Sequence, residues 1–164
     1  MILTAEVALK KMKRMALQII ERNELAEELI LIGIKENGIV IAHIIADFLK
    51  SASSKTISVV ALEINKKLPS EIQLSIAVDV KDKTVILIDD VANSGRTMLY
   101  ALQPLLAQYP KKIETLALIE RTHKQFPIEV NYVGLSVSTA LKENIEVLVA
   151  NGIVSGGKLQ SAEL

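Results

Sequence analysis

The sequence contains no cysteine, which excludes a disulfide framework, a thiolate metal site and a cysteine nucleophile together. Tryptophan is absent too, and aromatic residues make up only 3% of a chain in which hydrophobic residues make up 50%. The core therefore has to be assembled from Ile, Leu, Val and Ala. That β-branched richness, interleaved with helix formers, favours covered parallel strands and so an α/β class. An excess of charge of either sign is also lacking. Nineteen Lys and Arg balance nineteen Asp and Glu, so no global field draws the molecule onto nucleic acid or an anionic membrane. Long hydrophobic runs are missing as well: LILIGI and GIVIAHIIADFL are bounded or interrupted by Glu28, Lys35, His43 and Asp47, and neither can span a bilayer. Lys10, Lys11, Lys13 and Arg14 fall where the apolar segment of a signal peptide would have to lie, so a soluble cytoplasmic protein is expected. At 164 residues the chain suits one domain with one core.

What is present reads as alternating elements. Thr4 is a helix N-cap, and Ala8, Met12, Met15, Ala16, Ile19 and Ile20 follow at helical spacing, giving an amphipathic first helix with a basic outer face. An unbroken apolar run over residues 29 to 34 ends at GIKENG and leads into a helical pattern over 39 to 49. Residues 56 to 64 form a strand, after which the polar NKKLPS and the alternating Ile72, Leu74, Ile76 and Val78 suit a hairpin or a mobile flap. Residues 85 to 88 are the most strand-like run. A helix from about 95 to 108 follows, stopped by Pro110, and 113 to 119 is the next strand. Strands and helices alternating at this spacing imply right-handed βαβ units, a mainly parallel central sheet flanked by helices, and ligand sites beyond the strands' carboxyl ends. Residues 130 to 135 and 145 to 149 look like strands without a useful helix between them, and are expected to form a small β-rich hood. Residues 1 to 150 then make a single domain including the hood, with 151 to 164 as a loose C-terminal tail.

The strongest chemical signal is VILIDDVANSGRT. An aliphatic strand runs straight into Asp89 and Asp90, then into a loop of small and polar residues, Asn93, Ser94, Gly95, Arg96 and Thr97, then into a helix. Two carboxylates at a strand's carboxyl end can accept hydrogen bonds from vicinal hydroxyls, while successive loop amides and a helix N-terminus make an anion site. Hydroxyls and phosphate at that spacing describe a phosphorylated pentose. Ser94 and Thr97 add hydroxyl donors, Gly95 lets backbone approach the phosphate, and Arg96 adds charge. An isolated Asp-Asp pair would more simply be a helix cap, but the whole string tips the balance towards a site.

The string resembles the phosphoribosyl pyrophosphate (PRPP) signature of type I phosphoribosyltransferases. Together with IIERNELAEELILIGIKENGIVIAHIIADFL and ALIERTHKQFPIEVNYVGLSV, it is similar over most of the chain to the bifunctional pyr-operon attenuator and uracil phosphoribosyltransferase family. The resemblance implies a parallel sheet between helices with a hood that holds the nucleobase, and usually a homodimer. By position, Asp89 and Asp90 would hold the ribose hydroxyls as the catalytic pair, and residues 93 to 97 the 5-phosphate. Lys35, Glu36, Asn37 and Gly38 of GIKENG would form the pyrophosphate loop, and Ile119, Glu120 and Arg121 would face the base. The implied reaction displaces pyrophosphate from the anomeric carbon by a nucleobase nitrogen, with Mg²⁺ bridging pyrophosphate and ribose oxygens rather than held directly by side chains. The implied ligands are PRPP and a nucleobase or nucleoside monophosphate.

Three positions depart from the family pattern. Asn37 stands where the family has Arg, leaving Lys35 alone as the loop's cation. The segment between Glu63 and Ile86 is shorter than the family's flexible loop and lacks its Tyr-Arg pair, leaving Lys66 and Lys67. Asn93 stands where many related transferases have Asp, so a side-chain base is missing there. Two readings of different class stay open: a uracil phosphoribosyltransferase, and a PRPP- or nucleotide-sensing regulator of the same fold without turnover. A receiver-type phosphoacceptor pocket would need a third acidic strand end and a distal Lys, a need poorly met.

RNA binding, the family's second activity, would fall to Lys10, Lys11, Lys13 and Arg14, but a solvated helix face is the preferred reading. GIVSGGKL, residues 152 to 159, has Walker-like glycine spacing. Leu159 replaces the Mg²⁺-binding hydroxyl, however, and no helix can follow, so it is read as flexible tail. His43 and His123 lack ligand partners in sequence and are assigned surface or hydrogen-bonding roles.

Overall fold

Alternating faces of a few aliphatic strands set the architecture. In a computed structural model of the chain, residues 1–65, 67–68, 72–74, 77–140 and 142–161 are described. Two strands open the chain's alternation, β1 (Leu3–Thr4) and β2 (Glu28–Ile34), separated by helix α1 (Ala5–Arg22). Helix α2 (Asn37–Ala52), β3 (Thr56–Ile64), β4 (Ile72–Leu74) and β5 (Thr84–Ala92) follow. Then come two short helices, α3 (Arg96–Ala101) and α4 (Gln103–Leu106), and four strands, β6 (Lys112–Arg121), β7 (Tyr132–Val137), β8 (Glu143–Ala150) and β9 (Ile153–Ser161).

Six strands form the central sheet in the order β4-β3-β2-β5-β6-β7, parallel except for β4, which pairs antiparallel with β3 as a hairpin. Side chains alternate across it. Leu29 and Leu31 of β2, with Ile86 and Ile88 of β5, pack under α1 and α2 against Met12, Met15, Ile19, Ile41 and Ile45. Their neighbours Ile30, Ile32, Val85 and Leu87 face the other way, onto Met98, Ala101 and Leu105 of α3 and α4. Each fully buried Leu or Ile of this kind contributes about 1.5–3 kcal/mol. Thr4 caps α1 as its sequence context implies, its Oγ1 accepting the Val7 amide at 3.3 Å. Among the described residues no helix is long and apolar enough to cross a membrane.

Three expectations are corrected. The helix expected over residues 95 to 108 is two short helices, because Pro104 lies at the start of α4, where it supplies no amide and its ring crowds the carbonyl four residues back. The strand expected over 130 to 135 is not part of the hood. It is β7, which extends the central sheet parallel to β6, with Arg14 donating from α1 to the carbonyls of Val133 at 2.8 Å and Gly134 at 3.3 Å. The hood is instead a three-stranded antiparallel sheet in the order β1-β9-β8. Its middle strand is the segment expected to be a loose tail. Residues 153 to 161 pair with both β1 and β8, and a Cβ at Gly157 would lie 2.8 Å from Ile119 Cδ1, so the glycine of the Walker-like string serves close packing. Ile76 and Lys66 of the expected flap lie outside the described residues.

A buried polar knot fixes α1 to the sheet. The Glu114 carboxylate of β6 accepts Asn23 Nδ2 from the end of α1 at 2.7 Å and the Tyr132 hydroxyl of β7 at 2.9 Å, with Lys112 Nζ at 3.4 Å. Burial, then the hydrogen bond and charge of Glu114, push the Tyr132 hydroxyl well above the usual tyrosine range. Its removal in Tyr132→Phe leaves a buried carboxylate short of a donor and is expected to cost about 1–3 kcal/mol in denaturant unfolding near pH 7. Because the folded state keeps a proton that the unfolded tyrosine gives up above about pH 10, the Tyr132 contribution is full below that pH and is lost as pH rises. The stability gap between parent and Tyr132→Phe should therefore narrow above about pH 10.

Candidate functional site

The order of the central sheet makes one crevice. From β2 the chain runs through α2 to β3 on one side, then returns to β5 on the other side of β2, so the connections diverge between β2 and β5. Ligands of open parallel sheets bind at such a switch point, outside the strands' carboxyl ends. There the two motifs meet, with Gly33 of β2 in register with Ile88 of β5.

Asp89 is buried at 3% exposure and its Oδ1 accepts the amide of Asp90 at 2.9 Å. Asp90 is half-buried and held at both oxygens. Oδ1 accepts the Val91 amide at 2.8 Å, and Oδ2 accepts Asn37 Nδ2 at 2.9 Å. The same Asn37 amide donates to the Val147 carbonyl of β8 at 3.1 Å. Gly38 makes this meeting sterically feasible, since a Cβ there would lie 2.7 Å from the Ile88 carbonyl oxygen and 3.1 Å from Asp89 Cα.

Two cavities flank the aspartates. A larger one of about 630 Å³ is lined by Lys35, Glu36, Asn37, Glu63, Ile64 and Asp90. A smaller one of about 130 Å³ is lined by Asp89, residues 91 to 95, Thr97 and Met98. Around the smaller cavity the backbone is tightly specified. Gly95 has φ 81°, a left-handed conformation that glycine adopts without a steric penalty, and a Cβ on it would meet Ile128 Cγ2 at 2.6 Å. The Ser94 carbonyl accepts the amides of Gln125 and Phe126, each at 3.0 Å, and Ser94 Oγ accepts the Arg96 amide at 3.3 Å. Asn93 Oδ1 is buried without a partner among the described residues. A turn of this shape, opening a helix, suits an anion. Arg96 is exposed, lies 5.9 Å over the Tyr100 ring and does not line the cavity, so the groups available there to an anion are backbone and hydroxyl groups.

Other sequence candidates are differently placed. Among the described residues Lys35 is the one cationic side chain lining the larger cavity, its ammonium pairs with Glu63 of β3, and its peptide bond to Glu36 is cis. Glu36 is exposed. Ile119 is fully buried against Gly157 and cannot face a ligand. Glu120 accepts from Lys124 Nζ at 2.6 Å and Ser136 Oγ at 2.9 Å, while Arg121 donates to the Ala140 carbonyl at 2.7 Å. Both side chains are thus engaged within the chain at the end of β6, beside β5. His43 and His123 are exposed, and among the described residues no group of three or more His, Cys, Asp and Glu could hold a metal ion. Sequence reasoning missed Glu63 and the Val147 carbonyl. Glu63 carried a signal, being the one charged residue in TISVVALEI and lying near the strand's carboxyl end. Val147 carried none, because a backbone acceptor has no sequence signature.

Comparison with known proteins places the chain in a family and agrees with this fold. A family model described as the phosphoribosyl transferase domain matches residues 1–150. Bifunctional protein PyrR of Ligilactobacillus salivarius is 36% identical over 156 residues, 87% of this chain and 88% of that protein. Its counterpart in Latilactobacillus sakei is 39% identical over 146 residues, 82% of each. A crystal structure of a hypoxanthine-guanine phosphoribosyltransferase from Bacillus anthracis superposes with a TM-score of 0.72 at 22% identity, covering 88% of this chain and 84% of that one. The hypoxanthine phosphoribosyltransferase of Trypanosoma cruzi gives 0.76 at 14% identity, with 85% and 82% covered. At these identities the two structures speak for the fold.

The role of Gly38 has a test whose sign decides. Helix propensity alone favours alanine over glycine inside α2 by up to about 1 kcal/mol. The contacts with Ile88 and Asp89 oppose it, so Gly38→Ala is expected to lose about 1–3 kcal/mol in denaturant unfolding, and a stabilised variant would show that α2 has room to move off β5.

Proposed function

The chain belongs to the phosphoribosyl transferase domain family, alongside the PyrR proteins, and from that premise we propose that it transfers the phosphoribosyl group of PRPP to a nucleobase, uracil, with release of pyrophosphate. The observation that carries this reading is the position of Asp89 and Asp90 between a small cavity suited to an anion and a larger one open to the rest of the ligand. A 5-phosphate seated among residues 93 to 97 puts the ribose over the aspartates and the anomeric carbon towards the larger cavity. There the bond to pyrophosphate breaks as the bond to the base nitrogen forms. Positive charge develops on the sugar as the pyrophosphate leaves, and the two carboxylates stabilise it while holding the hydroxyls in place.

Among the described residues Glu36, Glu63 and Asp90 line the larger cavity without forming a metal-binding cluster, and the single ammonium there, Lys35, is paired with Glu63, so Mg²⁺ would be held through the oxygens of the ligand rather than directly by these side chains. The cation would arrive on the diphosphate and neutralise charge that these side chains do not. The same acidity supports the second reading, a sensor that keeps the nucleotide pocket without turnover, because Asn37 supplies an amide where a cationic donor to the leaving group would serve. Incubation with PRPP, Mg²⁺ and each nucleobase in turn, following pyrophosphate release, separates the two and names the base. Uracil-dependent release supports the transferase; a Mg²⁺-dependent thermal shift with PRPP or a nucleoside monophosphate but no release with any base supports the sensor. RNA binding gains no support from the first helix, where Lys10 pairs with Glu6 and Arg14 holds carbonyls of β7. A homodimer remains part of the proposal, supported by exposed Val7, Leu9, Leu17 and Ile153, and sedimentation at tens of micromolar checks it.

The two ends of the ligand should respond to different substitutions. Asp90→Asn replaces a charge-assisted hydrogen bond of about 1.5–3 kcal/mol, so calorimetry should find PRPP binding weakened roughly ten- to a hundredfold in a folded protein. Arg96→Ala, at a side chain that does not line the smaller cavity, should weaken it by about tenfold at most. Unchanged binding by Asp90→Asn would return the aspartates to a capping role.

A further inference from the structure

The amide of Asn37 stands between the sugar end of the site and the hood. It is the first residue of α2, and its Nδ2 spends both protons on distant partners, Asp90 Oδ2 at 2.9 Å and the Val147 carbonyl at 3.1 Å. Neither partner belongs to α2, so the bond is not a helix cap. Asp90 lies at the carboxyl end of β5 in the central sheet, and Val147 lies on β8, the edge strand of the hood. The amide is therefore the joint between the two sheets where the ligand would sit.

We infer that Asn37 is a positioning residue that fixes the Asp90 carboxylate for the ribose hydroxyls and makes its orientation depend on the hood; this rests on the reading of Asp90 as the ribose acceptor. With Oδ1 held by the Val91 amide and Oδ2 by Asn37, the carboxylate plane is set before any ligand arrives. Each carboxylate oxygen accepts two hydrogen bonds, so both keep an acceptor position for a hydroxyl and Asn37 need not be displaced. The gain is pre-organisation: the carboxylate has less freedom to lose on binding. A residue without an amide donor releases Oδ2 and detaches it from β8 in one step. Asn37 acts at the sugar rather than at the 5-phosphate, because the smaller cavity, lined by Asp89, residues 91 to 95, Thr97 and Met98, does not include it.

The test compares uridine 5′-monophosphate with its 2′,3′-dideoxy counterpart, which keeps the phosphate and base and lacks both hydroxyls. The full-length parent should bind the ribonucleotide more tightly. In Asn37→Ala, calorimetry should find the ribonucleotide weakened about five- to thirtyfold and the dideoxynucleotide changed less than about twofold, so that discrimination collapses. A merely structural lesion would weaken both alike, and that result, or an unchanged preference for the ribonucleotide, overturns the inference while leaving the ribose reading standing. A parent that binds neither ligand, or both equally, removes the ribose reading and the inference with it. If Asn37→Ala does not fold, Asn37→Leu, close in size and without a donor, takes its place with the same expected collapse. Hydrogen exchange reads the hood half of the joint: the ribonucleotide should protect residues 145 to 149 in the parent more than in the variant, and equal protection overturns the link to β8.

Discussion

The structure depends on one contact without a side chain in it, the seating of the first turn of α2 on the carboxyl end of β5. At Gly38 the helix lies so close that a Cβ would be 2.7 Å from the Ile88 carbonyl oxygen. The helix is held down by its apolar face, where Ile41, Ala42, Ile45 and Leu49 are fully buried. Core packing thus supplies the force and glycine the clearance. From that seat Asn37 reaches Asp90, the loop of residues 33 to 38 opens onto the larger cavity, and the hood obtains a hydrogen bond from α2. A bulkier residue at 38 would move all of these at once, because interiors packed at crystal density pass displacements on rather than absorb them.

Much of this was legible in the sequence, for reasons that vary with the element. The strand β3 was readable at both ends, and β2, β5 and β6 in their cores, because buried parallel strands are continuous aliphatic runs bounded by polar residues. Helices α1 and α2 declared themselves by period. The VILIDDVANSGRT string was readable because its chemistry is contiguous, carboxylates and anion loop arising from one strand and the turn that follows it. What stayed hidden depends on long-range pairing. Nothing in YVGLSV says that it will lie parallel to β6 rather than in the hood, a choice made with the help of Tyr132 and Glu114, which meet across two strands. The last strand was hidden by its glycines, which look like a loop in sequence and are a close-packed crossing in space. Glu63 and Val147 join the site only through folding, since the residues they meet, Lys35 and Asn37, are 28 and 110 positions away.

The two ends of the site are built on different principles. At the smaller cavity an anion would meet backbone and hydroxyl groups of a turn that is fixed by Gly95 and by the amides of Gln125 and Phe126, and the Arg96 guanidinium lies over Tyr100 instead. Such a site tolerates side-chain replacement, because its donors are present whatever the sequence, provided the turn keeps its shape. At the larger cavity the decisive groups are side chains, and here the chain departs from its family pattern with a neutral amide at 37 and a lysine already paired with Glu63.

This division gives the departures a common physical meaning. On the proposed reading, phosphate binding through backbone groups draws nothing from residue 37, so a substitution there leaves the phosphate's share of the affinity in place and acts through the ribose contact of Asp90. In the proposed reaction pyrophosphate would call on cationic donors at the larger cavity, and with Lys35 offset by Glu63 that demand would fall to a metal ion carried by the ligand itself. The amide at 37 is not merely a lost charge, however. An arginine, longer and with its donors in a rigid fork, would address a free anion, whereas the short amide addresses Asp90 and Val147. On the proposed reading the exchange would move the function of this position from the leaving group to the sugar, and from attracting a ligand to holding the acceptor that receives it.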